Sequence, residues 1–158
     1  MVSLDGTDFS INEPTPFDRK WWSHKFNKSA LRYEVGICIR TGHIVWVNGE
    51  WSDLKLAREA YIMAVYPDEM TLADKGYMDR DYFVNPSYNP ESAGIQKKIM
   101  ARHETANARL KQFGVLKNVY RHRIEDHMLC FLTVANMVQV CIENESPLYS
   151  VAKLVDQL

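Results

Sequence analysis

The segment from Leu31 to Asn48 constrains the fold more than any other. LRYEVGICIR alternates Val35, Ile37 and Ile39 with other residues, the period of a strand buried on one face. Thr41-Gly42 is a tight-turn signal, and HIVWVN runs back from it. Two strands joined so closely form an antiparallel hairpin, which fixes part of a sheet before anything else is known. Asn48-Gly49 is expected to break the returning strand.

The rest of the chain supplies further pieces in order. Val2 to Ile11 reads as a strand interrupted by polar residues, and residues 12–28 as an ordered loop. Ser52 is placed to cap a helix from about Asp53 to Val65, whose apolar face is Leu54, Leu56, Ala57, Ala60, Tyr61 and Ala64. Met70 to Ala73 is a short strand that delivers Asp74, and Phe83 to Pro86 another extended piece. Ile95 to Leu116 is helical, with Ile95, Ile99, Ala106, Leu110 and Phe113 on one stripe. A last helix runs from about Arg123 to Glu143, burying Ile124, Phe131, Val134, Ala135, Val138 and Ile142. Strand, strand, strand, helix, strand and then helices is the order of a ribonuclease-H-like α/β fold, a mixed sheet with flanking helices. In it the first strand lies beside the fourth, so Asp5 and Asp74 become neighbours and a later helix brings Glu104 to the same edge.

Composition fits one domain with a real core: 158 residues, 46% apolar and 25% charged. The net charge of −1 gives no global basic field, so a nucleic-acid partner has to be held by local patches. No apolar run approaches the roughly 20 residues that span a membrane, and MVSLDGTDFSINEP lacks the basic start of a signal peptide. The expectation is an intracellular protein. Cys38, Cys130 and Cys141 lie in apolar segments and read as buried free thiols. His127 with Cys130, and His122 nearby, is the nearest approach to a zinc site, but no second ligand pair is visible.

Three acids carry the chemistry: Asp5 in LDGTDF, Asp74 in LADKGY and Glu104 in ARHETANARLKQFGVL. Converged carboxylates are the usual holders of Mg²⁺ or Mn²⁺ for phosphodiester chemistry. Each has a plainer alternative. Asp5 suits a turn beside Gly6, Asp74 a turn before Gly76, and Glu104 a solvated helix position paired with Arg102 or Lys111. Basic residues cluster at Arg19, Lys20, His24, Lys25 and Lys28, where Trp21 and Trp22 could stack on bases or simply pack. A second cluster holds Lys97, Lys98, Arg102, Arg109 and Lys111, the candidate DNA contacts.

LDGTDF, WSDLKLAR, LADKGY and a Glu followed seven residues later by Lys111 resemble, in that order, the DDE superfamily of transposase endonucleases, and among them the Harbinger-like group. The last two acids are 30 positions apart, near the family's spacing. The resemblance implies that Asp5, Asp74 and Glu104 bind the catalytic divalent metal, Mg²⁺ or Mn²⁺, and that Asp53 is accessory; His103, beside Glu104, is a further candidate to support the metal, with a packing or surface role as its plainer alternative. The resemblance also implies a catalytic core over residues 1–145 with a tail at 146–158, acting in the nucleus on DNA, either transposon ends or a target. Asp8 stands where the family more often has His, and Lys75 where Ser is usual. Met1 falls just before the catalytic strand, so the expectation is an isolated core that relies on an N-terminal DNA-binding region or a separate DNA-binding partner. Oligomeric state stays open. The competing function is a catalytically inactive, transposon-derived remnant that binds DNA or protein.

Overall fold

The computed structural model describes residues 1–51, 54–66, 69–88 and 90–155. Its strands are β1 (Val2–Ser10), β2 (Trp22–Ser23), β3 (Lys28–Cys38), β4 (Ile44–Trp51), β5 (Thr71–Ala73) and β6 (Phe83–Val84). The α-helices are α1 (Leu54–Ala64), α2 (Ala93–Leu110), α3 (Gly114–Lys117), α4 (His127–Asn144) and α5 (Ala152–Val155). Strand β1 lies at the centre, antiparallel to β3 and parallel to β5, which in turn pairs parallel with β6. Strand β3 also carries β4 and the short β2, both antiparallel. This is the mixed, helix-flanked sheet of a ribonuclease-H-like α/β fold.

Alternate residues of β1 serve the two faces of the sheet. Leu4 packs with Tyr61 of α1 and with Ala73, Tyr77 and Phe83. Phe9, with Tyr33, Val35 and Ile37 of β3, joins Ala106 and Leu110 of α2 and Phe131, Val134 and Val138 of α4 in the largest core cluster. A third cluster places Ile39 and Leu72 against Ile99 of α2 and Val151 near α5. Leu148 also reaches the main cluster, so the segment after α4 is packed onto the domain.

Several boundaries differ from the sequence reading. Strand β1 is continuous, because its polar residues Ser3, Asp5 and Thr7 face α2 rather than interrupting the ladder. Helix α2 stops at Leu110 instead of running to residue 116, and α3 starts afresh at Gly114. Helix α4 begins at His127, after a 3₁₀ turn over Ile124–Asp126. The hairpin turn forms at the expected place, with Gly42 at φ +84° and its N–H donating to the Cys38 carbonyl at 2.8 Å. None of the thiols is fully buried: Cys38 and Cys130 are half-buried and Cys141 is exposed. Helix α4 is apolar almost all round, so Leu129, Met137, Val140 and Cys141 lie on its open side.

Asn48-Gly49 does not break β4, since Gly49 pairs with Tyr33 of β3. The reason for glycine is steric. A Cβ there would lie 2.0 Å from the Tyr33 ring, which is fully buried against His127 and Phe131. The ring has nowhere to go without disturbing the main core. We therefore expect Gly49→Ala to lower stability by about 1–3 kcal/mol, the usual cost of overpacking, with the urea unfolding midpoint as the measure.

Candidate active site

The register of the sheet brings the first two acids together. Val2, Ser3 and Leu4 pair in parallel with Thr71, Leu72 and Ala73, and Asp5 and Asp74 are the next residues on each strand. Asp74 sits where β5 gives way to a turn. Its Oδ1 accepts the Gly76 N–H at 2.8 Å, so the turn role and a place at the site coexist in one side chain. The turn is tied down from the far side of the sheet. Tyr77 is buried and donates its hydroxyl to Glu34 Oε1 at 2.8 Å, while Asn85 donates to the Tyr77 carbonyl at 2.8 Å. Burial and the carboxylates of Glu34, Asp5 and Asp74 push the Tyr77 hydroxyl far up, so it stays a donor.

Helix α2 delivers the third acid by lying along β1. His103 Nδ1 meets Ser3 Oγ at 2.9 Å, Asn107 Nδ2 donates to Asp5 Oδ2 at 3.1 Å, and Lys111 Nζ stands 5.4 Å from the Phe9 ring centre. One helical turn advances about 6 Å and two strand residues about 6.6 Å, so residues 103, 107 and 111 can follow the strand. Glu104 lies on the turn between the first two contacts, exposed, with no hydrogen-bond or ion-pair partner among the described residues. His103 is buried, and burial followed by the Arg102 charge pushes it down to about 3, so it is neutral at pH 7. It docks α2 onto β1 from beneath the site. Asn107 was not anticipated; its only signal in the sequence is its spacing of one helical turn from His103 and Glu104.

Electrostatics agree with this grouping. Burial lifts the Asp5 carboxyl first, the Asp74 charge lifts it further, and Glu104 adds a smaller push. The Gly6 amide and the Lys25 charge pull the other way, and the balance leaves Asp5 at about 6. Three oxygen-donor side chains of like charge suit a hard divalent cation, which would relieve their repulsion. As placed, no three ligand-type side chains among the described residues stand within reach of a single ion. Asp74 acts on Asp5 more strongly than Glu104 does.

The other expected residues divide. Lys97 and Lys98 are exposed on α2, and Lys111 is half-buried at its end. Arg102 does not face solvent. It is 2% exposed and donates to the carbonyls of Cys38 at 3.0 Å and Tyr149 at 3.4 Å. Arg109 binds the carbonyls of Ser146 and Pro147. Both guanidinium groups satisfy backbone acceptors of an irregular segment; the burial of Arg102 corrects its reading as a DNA contact, while Arg109 is half-buried. Trp21 packs against the main core, with Lys20 4.8 Å above its ring. His127 is enclosed and its Nδ1 meets the Tyr33 hydroxyl at 2.7 Å. Asp53 lies outside the described residues.

The raised pKa of Asp5 makes a signed prediction. The folded state binds this proton more tightly than the unfolded chain, so its contribution is fully present below about pH 4 and is lost as pH rises through about 6. Asp5→Asn removes the charge and keeps the shape. The variant should be more stable than wild type at pH 8 by about 1–3 kcal/mol, and the gain should vanish near pH 4. Thermal unfolding across that range is the check.

No curated protein and no solved structure matches the chain significantly. No helix among the described residues is long and apolar enough to cross a membrane. The family model described as DDE superfamily endonuclease matches residues 4–142, a span that takes in Asp5, Asp74, Glu104 and all of the sheet but Val2 and Ser3. With that match covering most of its length, the chain belongs to the DDE superfamily endonucleases.

Proposed function

We propose that this chain is a divalent-metal-dependent DNA nuclease of transposase type, Harbinger-like, with strand transfer as a second outcome of the same chemistry. The observation that carries the reading is the juxtaposition of Asp5 and Asp74 in adjacent strands, with Glu104 brought alongside by a helix fastened to β1. Asp5, Asp74 and Glu104 would hold Mg²⁺ or Mn²⁺. A bound divalent ion supplies activation of a hydroxyl nucleophile and neutralises charge on the leaving oxygen. Asn107 holds Asp5 Oδ2, which orients the carboxylate and leaves its other oxygen for a ligand. The Asp74 turn is kept rigid by the Tyr77–Glu34 hydrogen bond. Lys97 and Lys98 lie on the same helix as Glu104 and Lys111 caps its C-terminal end, suited to phosphates of the bound strand. The substrate is DNA, transposon ends or target, in the nucleus, with recognition shared with a separate DNA-binding protein or region.

One observation favours a second reading. The carboxylates are not gathered tightly enough around one point to hold an ion as they stand. A domesticated, non-cutting domain that binds DNA or a protein would be free to let Glu104 drift. Calorimetric titration with Mg²⁺ and Mn²⁺ separates the two. The nuclease reading expects saturable binding that is lost in Asp74→Asn, and Mn²⁺-dependent nicking of supercoiled DNA. Asn107→Ala should weaken metal binding by about 10–100-fold, the typical effect of losing a residue that supports a ligand, and Glu104→Gln should cost more. Folded wild-type protein that binds neither ion would overturn the nuclease reading.

A further inference from the structure

The loop between β1 and β3 was expected to be an excursion, but its last part is built into the site. Strands β2 and β3 form a small hairpin, with Trp22 opposite Ser29 and Ser23 opposite Lys28. Ser23 is buried and its hydroxyl donates to Asp8 Oδ2 at 2.6 Å. Asp8 in turn takes Arg32 Nε at 2.9 Å and Nη2 at 3.3 Å. The Phe26 N–H donates back to Ser23 Oγ at 3.3 Å, and Asn27 turns the chain at φ +50°. A doubly bonded ion pair, buried at its Asp8 end, thus supports the turn.

That turn carries cations toward a cation of α2. Lys28 Nζ and Lys111 Nζ each lie 5.8 Å from the centre of the Phe26 ring, and Lys111 also lies over Phe9. Lys25 precedes Phe26 and is exposed, as is Lys28. Among the described residues none of these three lysines has a carboxylate ion-pair partner. Their mutual repulsion is felt: burial and then the Lys25 charge hold the Lys111 ammonium below its ordinary range. Lys25 is also close enough to Asp5 to act on its carboxyl.

We propose that the Ser23–Lys28 turn is a phosphate-gripping rim of the carboxylate site, in which Lys25 and Lys28, together with Lys111, hold the backbone of a DNA strand running past Asp5. The assignment rests on the nuclease reading for the identity of its ligand. Geometry supplies the rest. Two ammonium groups, Lys28 and Lys111, meet at one ring from parts of the chain distant in sequence, and Lys25 stands near enough to Lys111 for its charge to be felt there. Phosphates are the partner that resolves such a cluster. The Phe26 ring is already occupied by two ammonium groups, so it serves as their platform and not as a surface for stacking bases. The grip is therefore indifferent to DNA sequence.

The test is binding of the full chain to fluorescent 30-base-pair duplexes of two unrelated sequences, by anisotropy, with Mg²⁺ present and NaCl varied. The variant is Lys25→Ala with Lys28→Ala; both sites are exposed, and Lys25→Gln with Lys28→Gln repeats the test with the side-chain length kept. The expected result is a loss of about 2 in the slope of log affinity against log salt, since each phosphate contact contributes about 0.9. The loss should be the same on both sequences, with melting temperature unchanged and Mg²⁺ still bound. An unchanged slope in both variants, on a wild type that binds DNA, would overturn the rim and leave the nuclease reading standing. A loss on one sequence alone would overturn the sequence-indifferent grip. A wild type that binds Mg²⁺ but no DNA would overturn the rim and the DNA substrate together.

Discussion

Three residue pairs join β1 to β5, and the side chains around them leave little freedom in how they meet. Leu4, Leu72 and Ala73 are fully buried, Leu4 and Ala73 in the cluster under α1 and Leu72 in the one under α2. A slip of one residue would turn Leu4 out of its cluster and drive Asp5 in among Tyr61, Tyr77 and Phe83. An unpaired buried carboxylate there would cost several kcal/mol. Apolar packing on one face of the sheet thus determines the register, and the register places Asp5 beside Asp74 on the other. The chemistry is downstream of a packing decision made by residues that take no part in it.

Helix α2 repeats the logic in a second direction. Its contacts with β1 run through His103, Asn107 and Lys111, one residue per turn, and its apolar positions Ile99, Ala106 and Leu110 are buried beside them. Polar and apolar stripes share the sheet-facing side, which is why the helix looks only weakly amphipathic. Glu104 gains its position from its neighbours and has no anchor of its own. Asp5 and Asp74 are each held by a hydrogen bond, from Asn107 and from the Gly76 amide, while Glu104 is exposed.

The parts of the fold carried by local periodicity were legible in the sequence. Alternation gave the β3–β4 hairpin, the helical stripes gave α2 and α4, and motif order gave the adjacency of Asp5 and Asp74. What escaped was set by long-range packing. Nothing local to Asn48-Gly49 shows that a tyrosine ring will lie on the glycine. Nothing around Arg102 and Arg109 shows that backbone carbonyls from residues 146–149 will claim their guanidinium groups. Spacing on one helix reads the same for a DNA-facing arginine as for one that staples the chain's last segment. The turn holding Lys25 and Lys28 was visible as a basic cluster, but its direction depends on the Asp8–Arg32 pair, formed by residues 24 positions apart.

Asp5 and Asp8 show how one strand prepares two carboxylates for different ends. They lie three residues apart, so the pleat sends them to opposite faces. Burial raises both. At Asp8 the Arg32 and Ser23 hydrogen bonds and the Arg32 charge outweigh it, and the carboxyl falls below the ordinary range. Its partners are complete, and the pair supports the hairpin that carries Lys25. At Asp5 the direct side-chain donor is the neutral amide of Asn107, and the charged neighbour that weighs most is another acid, Asp74. The Lys25 charge opposes these effects without cancelling them. A carboxylate kept near pH 6 by its own fold is a group whose charge has been left for something outside the chain to balance.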